Sequence, residues 1–430
     1  MLLELRLENF KCFKELTVFS MVPQPEIRNL KYSVLKRKIS GEHQKALCSS
    51  IIFGPNASGK SNLIFALEIL KRIVLRGNIL DDDSVKFSVT SLSLVPNSFL
   101  GKDTPVHIGI SFIIGELKVD YDLLLQLGGF LGDSIERRVV REKLSVNESP
   151  VFDRNEKHVG LFNHPLLKGR LFNSEENKDL ISQLINEGLK STDVFLSNGF
   201  KCLVSLELSN LILSWFRNNL NIHCRRDETN NFSEIIKSNP DDILENINKV
   251  AKEIGSTSNS FCLSELWKEE SKTLLQSLVK DMKGNLRAID SETFESKGTL
   301  RLLFFVPILL EALKKGSIVF IDELEVSIHP VVIMNFVNIF HNDEINKNRA
   351  QLIFTSNNPS LLNGNLLRED EIKFIEINKE GNNIIHSLSE VKINKARKVI
   401  KNVDSCKEYL LGKYGAIPKA DINKLFDKFI

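Results

Sequence analysis

None of the six cysteines, Cys12, Cys48, Cys202, Cys224, Cys262 and Cys406, stands in a C-x-x-C pair. The spacing therefore excludes a zinc ribbon and a disulfide framework, and reduced thiols in a cytoplasmic setting are expected. Long apolar runs are also missing. The longest beside any motif, LLFFVPILL from Leu302, is about half of a membrane span. The start, MLLELRLENFK, places an acid at Glu4 and lacks the uninterrupted apolar stretch of a signal peptide. Neither sign of charge dominates: 57 Lys+Arg stand against 55 Asp+Glu, a net of +2. That balance argues against a surface built wholly to clamp nucleic acid, although local basic stretches remain in HCRRDE and KINKARKVIKN. Internal repeats and low-complexity tracts are absent. No segment sustains three clean heptads, which excludes a long coiled-coil arm. The eight histidines are scattered without metal-ligand spacing.

One short stretch is rich where the rest is sparing. Gly54-Pro55-Asn56-Ala57-Ser58-Gly59-Lys60-Ser61 fits GxxxxGK[ST] in full, with Asn62 following. Glycines let the backbone wrap a phosphate with successive N–H groups pointing inward. Ser50–Phe53 before it reads as a buried strand. SNLIFALEILKRIVL after it has apolar residues at Leu63, Ile64, Ala66, Leu67, Ile69 and Leu70, a helical spacing. A helix starting there adds the positive end of its dipole. In that setting Lys60 reaches the β- and γ-phosphates of ATP, and the Ser61 hydroxyl is a ligand for Mg²⁺.

Further along, GSIVFIDE places Asp322 and Glu323 at the carboxyl end of a short buried strand, where open α/β sheets bind ligands. Asp322 suits the metal's outer coordination, and Glu323 suits orientation or deprotonation of an attacking water. ESKGTLRLL puts Ser296, Gly298 and Thr299 at the start of an apolar helix about 25 residues upstream of that strand; alone, Ser-x-Gly is only a helix cap.

Strand patterns recur at both ends of the chain. Leu3–Leu7 alternates, and Val106–Leu127 reads as two strands around a turn at Gly115-Glu116. Short strands are expected over 130–175. Helices are expected at Asn177–Leu189, Leu206–Asn218, Pro240–Ile254 and Ser264–Lys283, with a polar loop over Arg225–Asp242. QLIFTSNN and EIKFIEINKEG read as later strands. Strands alternating with helices predict a mostly parallel sheet, an α/β class. The glycine loop precedes the middle region and the other strands follow it. The expected domains are 1–130 and 286–430, joined into one nucleotide-binding head, with 131–285 inserted as a mixed β and helical lid or dimerisation surface.

Together these motifs resemble the ABC-type ATPase head shared by SMC-like proteins. LRLENFKCF is similar to that class's first strand, which would put Lys11 near the nucleotide. Ser327-Ile328-His329-Pro330 resembles its D-loop. The resemblance implies ATP and Mg²⁺ as ligands and a homodimeric unit, open to higher oligomers, in which Ser296 and Gly298 reach the γ-phosphate of the partner's nucleotide. One element departs: Thr355-Ser356-Asn357-Asn358 carries Asn357 where the class has a histidine. An amide donates a hydrogen bond but holds no imidazolium charge, so slow hydrolysis is expected. No Q-loop glutamine is assigned, Gln126 being the one candidate.

The tail EYLLGKYGAIP, Glu408–Pro418, together with ESKGTLRLLFFVPILLEALKKGSIVFIDELEVSIHP, resembles a narrower set, the bacterial AAA15/AAA21 group with its Rlo-type and AbiL-type ATPases. The ATPases of the Septu and PARIS anti-phage systems are similar in architecture. This likeness implies a defence ATPase that controls a separately encoded nuclease of HNH or Toprim type in response to DNA or a phage-derived trigger. The alternative is a recombination-mediator ATPase acting on DNA in repair.

Overall fold

The computed structural model describes residues 1–27, 29–39, 41–80, 97, 104–127, 137–156, 158–167, 183–185, 187–224, 240–256, 258, 260–265, 273–394 and 405–417. The chain opens with β1 (Leu2–Glu8), β2 (Thr17–Ser20) and the hairpin β3 (Val34–Ile39) and β4 (Glu42–Leu47). Then come β5 (Ser49–Phe53), helix α1 (Lys60–Arg76), and the strands β6 (Val106–Ile114), β7 (Leu117–Gln126), β8 (Arg138–Val146), β9 (Ser149–Asn155) and β10 (Val159–Leu161). The middle holds α2 (Leu206–Asn218), β11 (Leu220–His223), α3 (Pro240–Glu253), β12 (Ser260–Glu265), β13 (Thr273–Lys280) and β14 (Leu286–Asp290). The last part runs α4 (Ser291–Phe294), α5 (Lys297–Lys315), β15 (Ile318–Ile321), α6 (Pro330–His341), β16 (Gln351–Thr355), β17 (Ile372–Ile377), β18 (Asn383–Ser387), α7 (Leu388–Asn394) and α8 (Ser405–Leu410).

Among the described residues the strands form a seven-stranded sheet ordered β10-β9-β8-β7-β6-β1-β2 and a six-stranded sheet ordered β11-β15-β16-β5-β17-β18. A three-stranded sheet, β12-β13-β14, and the β3-β4 hairpin stand beside them. In the six-stranded sheet β5 pairs in parallel with β16 on one side and β17 on the other. The two ends of the chain therefore contribute strands to one sheet.

Side chains on these central strands alternate between two cores, as the strand period of two requires. Ile52, Ile318, Phe320, Ile353 and Ile375 pack with α1 and the seven-stranded sheet. Ile51, Phe53, Val319, Ile321, Leu352, Phe354 and Phe374 pack with α5 and α6 on the other face. Being buried on both faces is why these strands read as continuous apolar runs.

The segment 131–285 is woven into the head more tightly than a simple insertion. The seven-stranded sheet crosses residue 130, since β7 pairs with β8, and β11 joins the head by parallel pairing with β15. The part that stands apart is α3 with β12-β13-β14. Here one expectation is corrected. The described parts of Ser264–Lys283 are not helical: β12 and β13 pair antiparallel, from Glu265 opposite Thr273 to Ser260 opposite Leu278. Leu275, Leu278 and Val279 satisfy a helical spacing in one dimension, yet Phe261 and Leu275 pack against Ile247 of α3 and Leu303 of α5, and tertiary burial decides the conformation. The helix at Leu206–Asn218 and the turn at Gly115-Glu116 stand as read, and the helix expected over Pro240–Ile254 runs Pro240–Glu253. Most of Asn177–Leu189, Arg225–Asp242 and Lys392–Asn402 lies outside the described residues.

Two polar devices fasten distant segments. Buried Gln351 accepts the Leu2 N–H (2.6 Å) and donates to the Leu47 carbonyl (2.9 Å). The tail folds back over β17. The Tyr409 ring stacks on Phe374 at 5.6 Å and lies 5.8 Å from Phe53, the residue before Gly54. The Ala416 N–H donates to Glu376 (2.9 Å), and Tyr409 donates to the Ala416 carbonyl (2.9 Å).

The seven-stranded sheet carries a buried carboxylate. Glu142, fully buried, accepts from Tyr121 Oη (2.9 Å) and from the Phe195 and Leu196 N–H groups (2.6 and 2.8 Å). Arg154 lies 3.6 Å away. Burial pushes the Glu142 carboxyl up, and Arg154 offsets part of that. Glu142→Ala removes the acceptor of three donors and the ionic partner of Arg154, and is expected to cost about 3–5 kcal/mol. The measurement is the urea midpoint, and a loss within experimental error would contradict this account.

Candidate active site

β5 ends at Phe53 and the chain turns sharply, because there is no room for a side chain. A Cβ at Gly54 would sit 2.5 Å from the Ile375 carbonyl oxygen, and one at Gly59 would sit 2.5 Å from Cys12 Sγ. Gly59 also has φ +106°, which an L side chain rarely adopts. Ala57 accepts a left-handed φ of 65° in the same loop. Asn383 Nδ2, at the start of β18, donates to the Ser58 carbonyl (2.5 Å). The loop is thus clamped from β1's end, from β17 and from β18. α1 begins at Lys60, its apolar stripe of Leu63, Ile64, Leu67, Leu70 and Val74 buried, and ends at Gly77 in the left-handed conformation.

Asn56 through Asn62 line one cavity of about 410 Å³, and Glu323 closes it from β15's side. Parallel pairing through β16 brings a residue more than 260 positions downstream to the loop. Asp322 is 6% exposed. Thr355, at the end of β16, laces it in place: Thr355 Oγ1 donates to Asp322 Oδ1 (2.7 Å) and accepts the Glu323 N–H (2.7 Å). Arg301 Nη2 of α5 donates to the Glu323 carbonyl (3.0 Å). Glu323 itself has φ 51°, so the peptide on each side of it is held by a neighbour while the backbone adopts an uncommon turn.

The residues fit a nucleoside triphosphate with Mg²⁺. Lys60 Nζ turns back on its own loop, donating to the carbonyls of Gly54 (2.6 Å) and Pro55 (3.2 Å). Ser58 Oγ is buried without a hydrogen-bond partner. Burial lowers the Lys60 pKa, while the charges of Asp322, Glu323 and Glu325 act to raise it. This is a cation close to three acids, on a glycine loop that lines the cavity, and a loop of that kind suits an anion. Ser61 and Asp322 are the residues that would hold the metal.

The other residues singled out in the sequence fall into two groups. Ser296 caps α5, its Oγ accepting the Thr299 N–H (3.1 Å), and it is exposed. Gly298 faces the carbonyl of Ser327, which a Cβ would strike. The serine-glycine turn therefore packs on the Ser327 loop of its own chain, outside the cavity. His329 caps α6, Nδ1 accepting the Val331 N–H (3.3 Å). Lys11 lies over the Phe65 ring of α1 at 3.9 Å rather than lining the cavity. Gln126 is buried at the end of β7 and does not line it either.

Two residues escaped sequence reasoning. Glu325 Oε1 accepts the Asn357 N–H (2.6 Å), and burial pushes its carboxyl pKa up. His223, 9% exposed, ends β11 behind the acidic strand, its carbonyl accepting the Asp322 N–H (3.0 Å). The His223 ring lies edge-on to Phe304, 5.8 Å between centroids, and neither ring nitrogen has a partner. Burial lowers its pKa from 6.5 to about 4, with Lys71 adding to the effect. Among the described residues no helix is long and apolar enough to cross a membrane.

Two outcomes follow. Lys60→Ala is expected to abolish nucleotide binding, and unchanged affinity for a fluorescent ATP analogue would refute the cradle. Because the folded His223 binds its proton more weakly than the unfolded chain, its neutral form stabilises the fold above about pH 6.5. That contribution is lost as pH falls toward 4. His223→Leu is expected to flatten this part of the stability profile, measured as the difference from wild type in chemical denaturation.

A search of curated proteins finds no match. Among solved structures, an SMC head bound to the C-terminal winged-helix domain of ScpA matches at 13% identity over 92% of this chain and 99% of its own, with a TM-score of 0.40. The SMC head domain from Thermotoga maritima matches at 14% identity over 90% of this chain and 98% of its own, with a TM-score of 0.37. The family model described as "AAA domain, putative AbiEii toxin, Type IV TA system" matches residues 49–363, a span that runs from β5 through the glycine loop and the acidic strand to just past β16. The chain belongs to that family of AAA-type ATPase domains.

Proposed function

We propose that this protein hydrolyses ATP between two copies of itself and uses the nucleotide state to govern a separately encoded nuclease in anti-phage defence. The observation that carries the hydrolytic part is the cavity that joins Asn56–Asn62 to Glu323. Lys60 leaves the carbonyls of Gly54 and Pro55 to meet the β- and γ-phosphates. Mg²⁺, when bound at Ser61 and Asp322, neutralises phosphate charge. Glu323 orients the attacking water and accepts its proton, its backbone held by Thr355 and Arg301. Asn357 offers an amide to the γ-phosphate.

Dimerisation is supported by what the cavity lacks. Ser296, Gly298 and Thr299 sit at the amino end of a 19-residue helix, where N–H groups and the helix dipole favour an anion. They do not line their own subunit's cavity. A second copy presenting this turn across the interface would complete each site. The family's name, with its toxin–antitoxin wording, supports a role in bacterial conflict, and the resemblance to Rlo-type and AbiL-type ATPases supports a nuclease of HNH or Toprim type as the effector.

Glu323→Gln is expected to lower turnover by about a hundredfold or more, the usual range for a lost general base, while ATP and the dimer are retained. Steady-state hydrolysis and light scattering measure both, and wild-type turnover would remove Glu323 from its role. Asn357→His is expected to raise turnover; an unchanged rate would refute the slowed-switch reading. For the defence role, cells carrying the gene with its neighbouring nuclease gene are expected to resist phage. Lys60→Ala is expected to abolish that resistance in plaque counts.

A further inference from the structure

The loop from Asp322 to His329 does more than carry a catalytic acid and a helix cap. Two of its non-glycine residues, Glu323 (φ 51°) and Ser327 (φ 61°), lie in the left-handed region. Turns close on both sides of Glu325: the Val326 N–H donates to the Glu323 carbonyl (3.2 Å), and the Ile328 N–H donates to the Glu325 carbonyl (3.2 Å). This backbone turns the Glu325 side chain inward. There its two oxygens differ. Oε1 accepts the Asn357 N–H at 2.6 Å, and Oε2 is buried, with the Ser356 side chain near enough to offset part of the rise that burial gives the carboxyl.

Burying a carboxylate is costly, so the contact that Glu325 makes has to be held firmly. The charge also stands close enough to be felt by Lys60 and to feel Glu323. What the Oε1 contact fastens is set by the sheet. β15 and β16 are parallel neighbours, and their carboxyl ends carry Glu323 and Asn357. Thr355 ties Glu323 to β16 at one level, and Glu325 ties Asn357 back to the β15 loop one step further out.

We infer that Glu325 is a positioning residue for hydrolysis: it fastens the Asn357 backbone to the loop bearing Glu323, and so sets where the Asn357 amide points relative to the attacking water. The inference rests on the hydrolytic reading of the cavity. Because the same loop supports Gly298 through the Ser327 carbonyl, Glu325 also connects the serine-glycine turn to the Asn357 position through the backbone of Glu325, Val326 and Ser327. The residue does not touch the substrate in this role. It acts through Asn357.

The test is a double-mutant cycle in hydrolysis, with nucleotide affinity and thermal unfolding measured on the same proteins. Glu325→Ala is expected to lower kcat about tenfold, the usual worth of a hydrogen bond to a charged group. The Kd for a fluorescent ATP analogue is expected to stay within about twofold of wild type, since the Lys60 cradle is untouched. Glu325→Gln, whose amide oxygen can still accept the Asn357 N–H, is expected to recover most of the rate. In an Asn357→Ala background, Glu325→Ala is expected to cost almost nothing further, since the two act as one unit. Multiplying losses in the double variant would overturn the inference, as would a Glu325→Gln enzyme as slow as the alanine variant. A wild-type protein that binds ATP and never turns it over would overturn the hydrolytic reading itself. A wild-type protein that turns over, beside an equally fast Glu325→Ala variant, would overturn only the positioning role.

Discussion

The site depends on a single strand being inserted between two others. β5 delivers the glycine loop, yet by itself it is five residues with no partner nearby in sequence. Its neighbours β16 and β17 lie about three hundred positions downstream. Only when β5 is paired on both sides do Gly54 and Ile375 pack backbone against backbone, and only then is Thr355 carried to the level of Asp322. Loop closure over so long a separation costs little more than over a moderate one, because the penalty grows logarithmically. Burial of the strand on both faces repays it: each fully buried Ile, Phe or Leu contributes about 1.5–3 kcal/mol.

Within that frame the chemistry is arranged by pinning backbone, with side chains left to act. Glu323 is held at its N–H by Thr355 and at its carbonyl by Arg301. Asn357 is held at its N–H by Glu325. Such ties fix where carboxylate and amide begin, which is what electrostatic preorganisation requires. Lys60 follows the same logic in reverse. Its ammonium is parked on two carbonyls of its own loop, and three nearby acids offset part of the burial that lowers its pKa, so it is at hand when a better anion enters.

Much of this was legible in the residues. GxxxxGK[ST] between a strand and a helix, and four apolar residues ending in Asp322-Glu323, place the cavity from sequence alone, and the turn at Gly115-Glu116 comes out at its predicted position. What stayed hidden has physical causes. β12 and β13 carry leucines at spacings that satisfy both a helix and a strand, and the choice was made by contacts with α3 and α5 that no local pattern contains. Glu325 looks like one more acid in an acidic turn; its meaning comes from Asn357, which reaches it only through the parallel register of β15 and β16. His223 reads as an isolated histidine until β11 is seen to lie against β15. The crossing of residue 130 by the seven-stranded sheet likewise arises from pairing between β7 and β8 and leaves no mark on composition.

The folded-back tail has a bearing on biogenesis. Tyr409 rests on Phe374 and beside Phe53, and Ala416 is fastened to Glu376, so the strand that ends in the phosphate cradle gains its last backing from residues near position 410. A nascent chain therefore exposes its glycine loop hundreds of residues before the segment that braces it emerges, and until Tyr409 and Ala416 are in place the strand behind the loop lacks that backing.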